Sequence, residues 1–292
     1  LVFSAVSFQF EADGVANAIG SQIAGKTTGV DPLTQTITLQ AIRTSDSTGA
    51  CEAGISGDVS VLLAAECVSP ATCSGGSFTA DGGTPTSIGT NASGAVTTYT
   101  SVPLVFDGSG QAPIDFTYTD AGSTRVYAKY TLPLASGTNS TTVMTGTSNT
   151  FAWRPFAFEL KATGNPGATS ASGSKFTTAG TTFNGTARAV TWTAAADANN
   201  DGIADGMEST DTDPSNNVSL AANPTTPNFA PGTALTLTST LVAPSGGTHP
   251  GLSGTPSAVF TSGVAAISGL RYDEAGIIEI SAAQSGNSVS YT

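Results

Sequence analysis

The residues of this chain best suited to chemistry run from Asp197 to Glu208, as Asp-Ala-Asn-Asn-Asp-Gly-Ile-Ala-Asp-Gly-Met-Glu. Counted from Asp197, oxygen-bearing side chains fall at positions 1, 3, 5, 9 and 12 as Asp197, Asn199, Asp201, Asp205 and Glu208, with Gly202 at position 6. That is the spacing of a twelve-residue calcium loop. Calcium is a hard cation that takes six to eight oxygens, and short Asp and Asn arms at alternate positions can converge on it. In this reading Ile203 lends its main-chain carbonyl, Asp205 acts directly or through water, and Glu208 closes the shell with both oxygens. Gly202 permits the sharp reversal. The predicted cofactor is therefore calcium, held as a structural ion. The competing reading is a solvated acidic turn. Against it, only 21 residues of 292 are Asp or Glu, and four of those sit in this loop. Asp211 and Asp213 follow, either joining the site or adding negative potential. Thr191-Trp192-Thr193 reads as strand, so no helix enters the loop. It is expected as an insertion in a β-fold, not as half of a paired EF-hand.

Other chemistry is sparse. Cys51, Cys67 and Cys73 are three cysteines, an odd number. One local disulfide is expected in an exported protein, and spacing alone leaves its pairing open. No CxxC occurs and no histidine lies near to activate a thiolate. The single histidine, His249, sits in a Gly-Gly-Thr-His-Pro-Gly turn. No nucleophile motif, phosphate loop or zinc signature appears, so the chain is not expected to be an enzyme. Trp153, Trp192 and Tyr99 could stack on a sugar, but core packing is the commoner use of such rings.

Composition narrows the partners. The formal charge is -12, from 9 Lys and Arg against 21 Asp and Glu. So few cations give no phosphate-binding surface, which excludes nucleic acid and anionic membranes as expected partners. No apolar run approaches the length that spans a bilayer. Thr, Ser and Gly number 46, 34 and 34, so the polar surface is mostly hydroxyl and backbone. The sequence opens on Leu1 in a strand-like run, which reads as part of a longer or processed chain.

The elements that must position the acidic loop are strands. Apolar residues alternate at Val6, Phe8 and Phe10, at Ile114, Phe116 and Tyr118, and at Ile278 and Ile280, and the same spacing runs through Arg188, Val190 and Trp192. Period two on this scale predicts antiparallel sheets with one wet face. A repeat sets the domain count. At a constant offset of 154 residues Phe106 matches Phe260, Tyr118 matches Tyr272, Asp120-Ala121-Gly122 matches Glu274-Ala275-Gly276, and Ala128 matches Ala282. The shared unit reads as strand, tight hairpin-like corner, strand. Phe8-Gln9-Phe10 also corresponds to Phe158-Glu159-Leu160, and Leu39–Ile42 to Ala187–Val190. The fold class expected is all-β, two tandem immunoglobulin-like β-sandwiches. The first spans residues 1–150 and carries the Cys cluster; the second spans 151–292 and carries the inserted calcium loop. Trp153 and Pro155 mark a short, semi-rigid junction between them.

Several strings resemble a known family. They include Ala41–Cys51, Cys67-Val68-Ser69-Pro70-Ala71-Thr72-Cys73, Leu104–Asp107, Ser148–Phe151 leading into Arg154-Pro155, Leu241–Gly246 and Tyr272–Ile278. Together they are similar to the DUF6701 region of the MshQ-like proteins of Gram-negative bacteria, over nearly the whole chain. The resemblance implies a large exported protein working with the mannose-sensitive haemagglutinin type IV pilus, at the cell surface, in adhesion or pilus assembly. It implies pilus or other surface proteins as partners and supplies no catalytic residues. The expected function is a non-enzymatic extracellular stalk of a pilus-associated adhesin, stiffened by calcium. One alternative is a module that binds a glycan or another cell. Another is a self-assembling surface fibre joined through the chain ends at Leu1 and Tyr291-Thr292.

Overall fold

β-Branched and aromatic residues at every second position favour a pleated, half-buried backbone. Among the described residues the regular elements are strands, apart from one 3-10 turn at Leu220–Ala222. A computed structural model describes residues 6–30, 34–45, 48, 50–133, 142–168, 170, 172–206, 219–230, 235–254 and 257–283. The chain ends at Leu1 and Tyr291-Thr292 lie outside them. The chain divides into two compact units, Leu1–Arg154 with Asn200–Gly202, and Pro155–Asn199 with Ile203–Thr292.

In the first unit the main sheet runs in the order Thr100–Phe106, Gly57–Ser69, Gly122–Thr131, Val143–Thr147, Val6–Ala12, Ile37–Thr44, Gln111–Pro113. Neighbours are antiparallel except Val6–Ala12 and Val143–Thr147, which are parallel. Phe8 stacks on Phe106 although three strands lie between theirs in this order. The sheet therefore curls over its core. A second sheet of Asp115–Tyr118, Phe78–Asp81 and Pro85–Ser87 covers the opening and packs Phe78 and Phe116 against Phe10 and Trp153. Trp153 is not junction material. Phe151–Arg154 pairs with Gly122–Thr124 as a strand, and the indole is buried, with Nε1 donating to Thr124 Oγ1 at 2.9 Å. A bulky apolar residue two places before a proline has the same sequence signature whether it stiffens a linker or closes a core.

The Cys cluster resolves into one bond. Cys67 pairs with Cys73, tethering the Pro70 turn to the end of Gly57–Ser69, while Cys51 is exposed and free. The closed loop is short, so the cross-link removes modest entropy from the unfolded chain. Cys73→Ser is expected to cost about 2 kcal/mol, read as a lower urea midpoint, with Cys51→Ser leaving the midpoint unchanged.

The second unit is a sandwich of two sheets. One runs Ala157–Ala162, Phe183–Val190, Val264–Tyr272, Leu252–Ser253; the other runs Ser257–Ala258, Leu235–Ala243, Ile277–Ala283. Phe158, Phe229 and Phe260 form its aromatic centre, with ring centroids 4.9 to 5.5 Å apart. Its opening pair repeats that of the first unit: Gln9 faces Gln40 there, and Glu159 faces Arg188 here. The Arg188 guanidinium also donates to the carbonyls of Leu220 and Asn223, fixing the 3-10 turn.

The repeated Tyr-x-acid-Ala-Gly motif is a corner between sheets and not a hairpin. Asp115–Tyr118 and Gly122–Thr131 lie in different sheets, as do Val264–Tyr272 and Ile277–Ala283. The corner glycine is needed for close backbone approach. A Cβ at Gly122 would stand 2.6 Å from Ser69 O, and one at Gly276 would stand 2.7 Å from Ala243 O. Each of those carbonyls precedes a proline, Pro70 and Pro244. Gly57–Ser69 and Leu235–Ala243 are thus equivalent strands.

Candidate metal centre

The acidic loop leaves the strand Phe183–Val190 through a turn in which Ala196 N–H donates to Thr193 O. Two bonds then pinch its base shut. Asp205 N–H donates to Ala196 O at 3.0 Å, and Ala198 N–H donates to Asp205 Oδ2 at 3.0 Å. Asp197 is buried and accepts Trp192 Nε1–H on Oδ2 at 2.6 Å; Asp205 is buried as well. Trp192 therefore holds the first-position carboxylate. The reversal rests on left-handed residues, Asn200 at φ 62 and Gly202 at φ 84. The side chain of Ile203 is exposed, which suits a position whose expected contribution is its carbonyl.

Asp197, Asn199, Ile203 and Asp205 cluster with the second unit, and Asn200–Gly202, including Asp201, with the first. Within the first unit the buried Lys26 donates from Nζ to Asn200 Oδ1 at 2.8 Å, and Asn200 Nδ2 donates to Val30 O at 2.8 Å. Lysine is almost never this deeply buried without a partner. Nothing in the sequence around Gly25-Lys26-Thr27 signals it. Glu208, Asp211 and Asp213 lie outside the described residues. Among the described residues no three of His, Cys, Asp and Glu converge as metal ligands would. The donor chemistry fits a hard cation: two carboxylates are drawn out of water beside a reversal that only glycine and asparagine adopt readily.

One further charged cluster escaped the sequence reading. Glu66 interrupts the apolar run from Leu62 to Cys67, and its side chain is 4% exposed. Burial alone would push its carboxyl up. Gly94 N–H at 2.7 Å, the Tyr127 hydroxyl at 2.5 Å and the Arg125 guanidinium outweigh that and hold it below the ordinary carboxylate value. A depressed folded-state pKa stabilises the fold above the unfolded-state value, and that contribution is lost as pH falls through the folded-state value. Glu66→Gln is therefore expected to cost ~1–3 kcal/mol at pH 7. Its deficit relative to wild type should shrink as pH drops toward 3. Urea midpoints of both proteins across that range check this. The tools for a reaction are missing from this cluster, since its acid and its donors satisfy one another.

His249 spans the second unit's sheets. Nε2 lies 2.7 Å from Ser239 O, and Nδ1 lies 3.2 Å from the Tyr272 hydroxyl. With both ring nitrogens engaged, it is a structural bridge.

Comparison with known proteins places the chain. Residues 2–147 match the family model described as domain of unknown function (DUF6701), first Ig-like domain, and residues 154–269 match DUF6701, second domain. The fold is thus two tandem Ig-like β-domains. No curated protein and no solved structure matches the chain.

Proposed function

The chain belongs to the DUF6701 family, and on that premise we propose that it is a non-enzymatic stalk segment of a pilus-associated adhesin, stiffened by calcium. Its place is the surface of a Gram-negative cell, and its partners are pilus or other surface proteins. The observation that carries this reading is the succession of two family sandwiches, the second with an acidic loop pinched shut at its base. Such domains supply length and resistance to unfolding. A hydroxyl-rich surface with 10% charged residues offers little to bind non-specifically. Asp197, Asn199, Asp201, Asp205, Glu208 and the Ile203 carbonyl would hold the ion. Calcium would supply charge neutralisation, and the chain would supply the oxygens and the folded loop. The described residues contain no helix long and apolar enough to cross a membrane.

The test is replacement in the full-length protein. A stalk predicts that exchanging residues 1–292 for unrelated Ig-like domains of equal length preserves adhesion, while deleting them weakens it. A glycan- or cell-binding module predicts that exchange and deletion abolish adhesion alike.

A further inference from the structure

The smaller sheet of the first unit brings like charges together at one end. Asp115 and Asp81 are register partners in the ladder of Asp115–Tyr118 with Phe78–Asp81. Register partners in an antiparallel pair share one face of the sheet, and like charges directly opposite destabilise it. Both carboxylates are half-buried there. The next rung on that face, Thr117 with Thr79, is neutral. Among the described residues no lysine or arginine pairs with either acid; Arg43, Arg125, Arg188 and Arg271 hold other acids.

The two acids are held differently. Asp81 is committed to the turn that follows it, accepting Gly83 N–H on Oδ1 at 2.8 Å. Asp115 is closed in by the loop Thr27–Gly29. A Cβ on Gly29, whose φ is +74, would stand 3.0 Å from Asp115 Oδ1. Thr28 laces that loop to the strand: its N–H donates to Phe116 O, and its Oγ1 accepts Phe116 N–H at 2.9 Å. Its hydroxyl reaches Asp115 Oδ1 only at 3.4 Å. Pro85–Ser87, on the other side of Phe78–Asp81, carries no charge. Lys26, beside the loop, donates to Asn200. Asp81 is thus the one charge acting on Asp115 among the described residues. Burial lifts the Asp115 carboxyl above its ordinary value; the Thr28 hydroxyl lowers it, and the charge of Asp81 raises it further.

We propose that Asp81 and Asp115 form a proton-operated latch on this sheet. At neutral pH both are charged and push Asp115–Tyr118 away from Phe78–Asp81. One proton on Asp115 turns an acceptor into an O–H donor facing Asp81, and repulsion gives way to a hydrogen bond. The sheet so tightened is the one that covers the first unit's core, packing Phe78 on Phe116 and Phe116 on Phe10. A carboxyl raised in the fold binds its proton more tightly there than in the unfolded chain. Its contribution is fully present below the unfolded-state value and is lost as pH rises through the folded-state value. Glu66, on Gly57–Ser69 in the main sheet, responds in the opposite sense. Acid therefore tightens one sheet of this unit while it releases a tie in the other. The latch rests neither on the calcium loop nor on the stalk reading.

The test is hydrogen exchange of the 292-residue chain between pH 7 and about pH 4, read as protection factors so that the intrinsic effect of pH on exchange is removed. Asp115→Asn keeps the side chain's shape and removes its charge. At pH 7 it should raise the protection of the amides in Phe78–Asp81 and Asp115–Tyr118 by up to about fivefold over wild type, the upper range for a cross-strand charge pair. Asp81→Asn should do the same, and its amide oxygen can still accept Gly83 N–H. The double variant should gain no more than either single one, because repulsion needs both charges. The gap between variants and wild type should narrow toward pH 4, as Asp115 takes up its proton. Equal protection of Asp115→Asn and wild type at pH 7, a gap that stays constant with pH, or fully additive gains in the double variant would overturn the latch.

Discussion

Trp153→Ala is expected to destabilise the first unit by ~3–5 kcal/mol, the cost of emptying a large buried aromatic site. The indole touches Phe78, Tyr118 and Phe151 and closes the open end of the sandwich. Removing it also leaves Thr124 Oγ1 without its donor. A residue that only stiffened a junction would cost about 0.5 kcal/mol or less on truncation. Trp192→Phe is the matched control, because Trp192 is half-buried and its indole N–H serves Asp197. That change should cost about 1 kcal/mol, the net worth of one hydrogen bond. Urea unfolding followed by circular dichroism separates the two values.

Calcium should raise the thermal midpoint of the chain relative to chelator. At a free concentration a hundredfold above Kd the stabilisation is about 2.7 kcal/mol. For a domain of this size that is a shift of roughly 5–10 °C. Asp201→Ala should abolish the shift. Asp205→Ala should abolish it and also lower the midpoint in chelator, because Asp205 Oδ2 accepts Ala198 N–H and pins the base of the loop. A chain whose midpoint is the same in calcium and in chelator would be a plain acidic turn.

Much of the architecture was legible because apolar alternation is a local signal. Phe8 and Phe10 point inward and Gln9 pairs across the ladder, as period two demands. The repeat at offset 154 found equivalent corners, but not that they join different sheets. Pairing partners lie far away in sequence, so a corner and a hairpin look alike locally. It also missed the matching Ser69-Pro70 and Ala243-Pro244, which stand 174 residues apart and fall out of a gapless comparison. The disulfide pairing was open because Cys51 and Cys73 are both within reach of Cys67 by spacing. Register decides it: Cys51 is paired across from Thr44 in a different strand ladder. The acidic loop was legible in its ligand types. Its pinch was not, because the Asp205 contact runs to backbone and leaves no trace in residue identity. Lys26 and Glu66 were invisible for a related reason. A lone charge in an apolar stretch reads as solvated until its distant partners, Asn200 and Tyr127, are placed beside it.

The most direct measurement is a calcium titration of the chelator-stripped chain by isothermal calorimetry. The account predicts saturable binding of one ion per chain with a Kd at or below ~1 mM, in the range of extracellular calcium modules. That heat should be lost when Asp197 and Asp205 are both replaced by Asn. No binding heat up to ~10 mM calcium, or undiminished heat in the double variant, would contradict it.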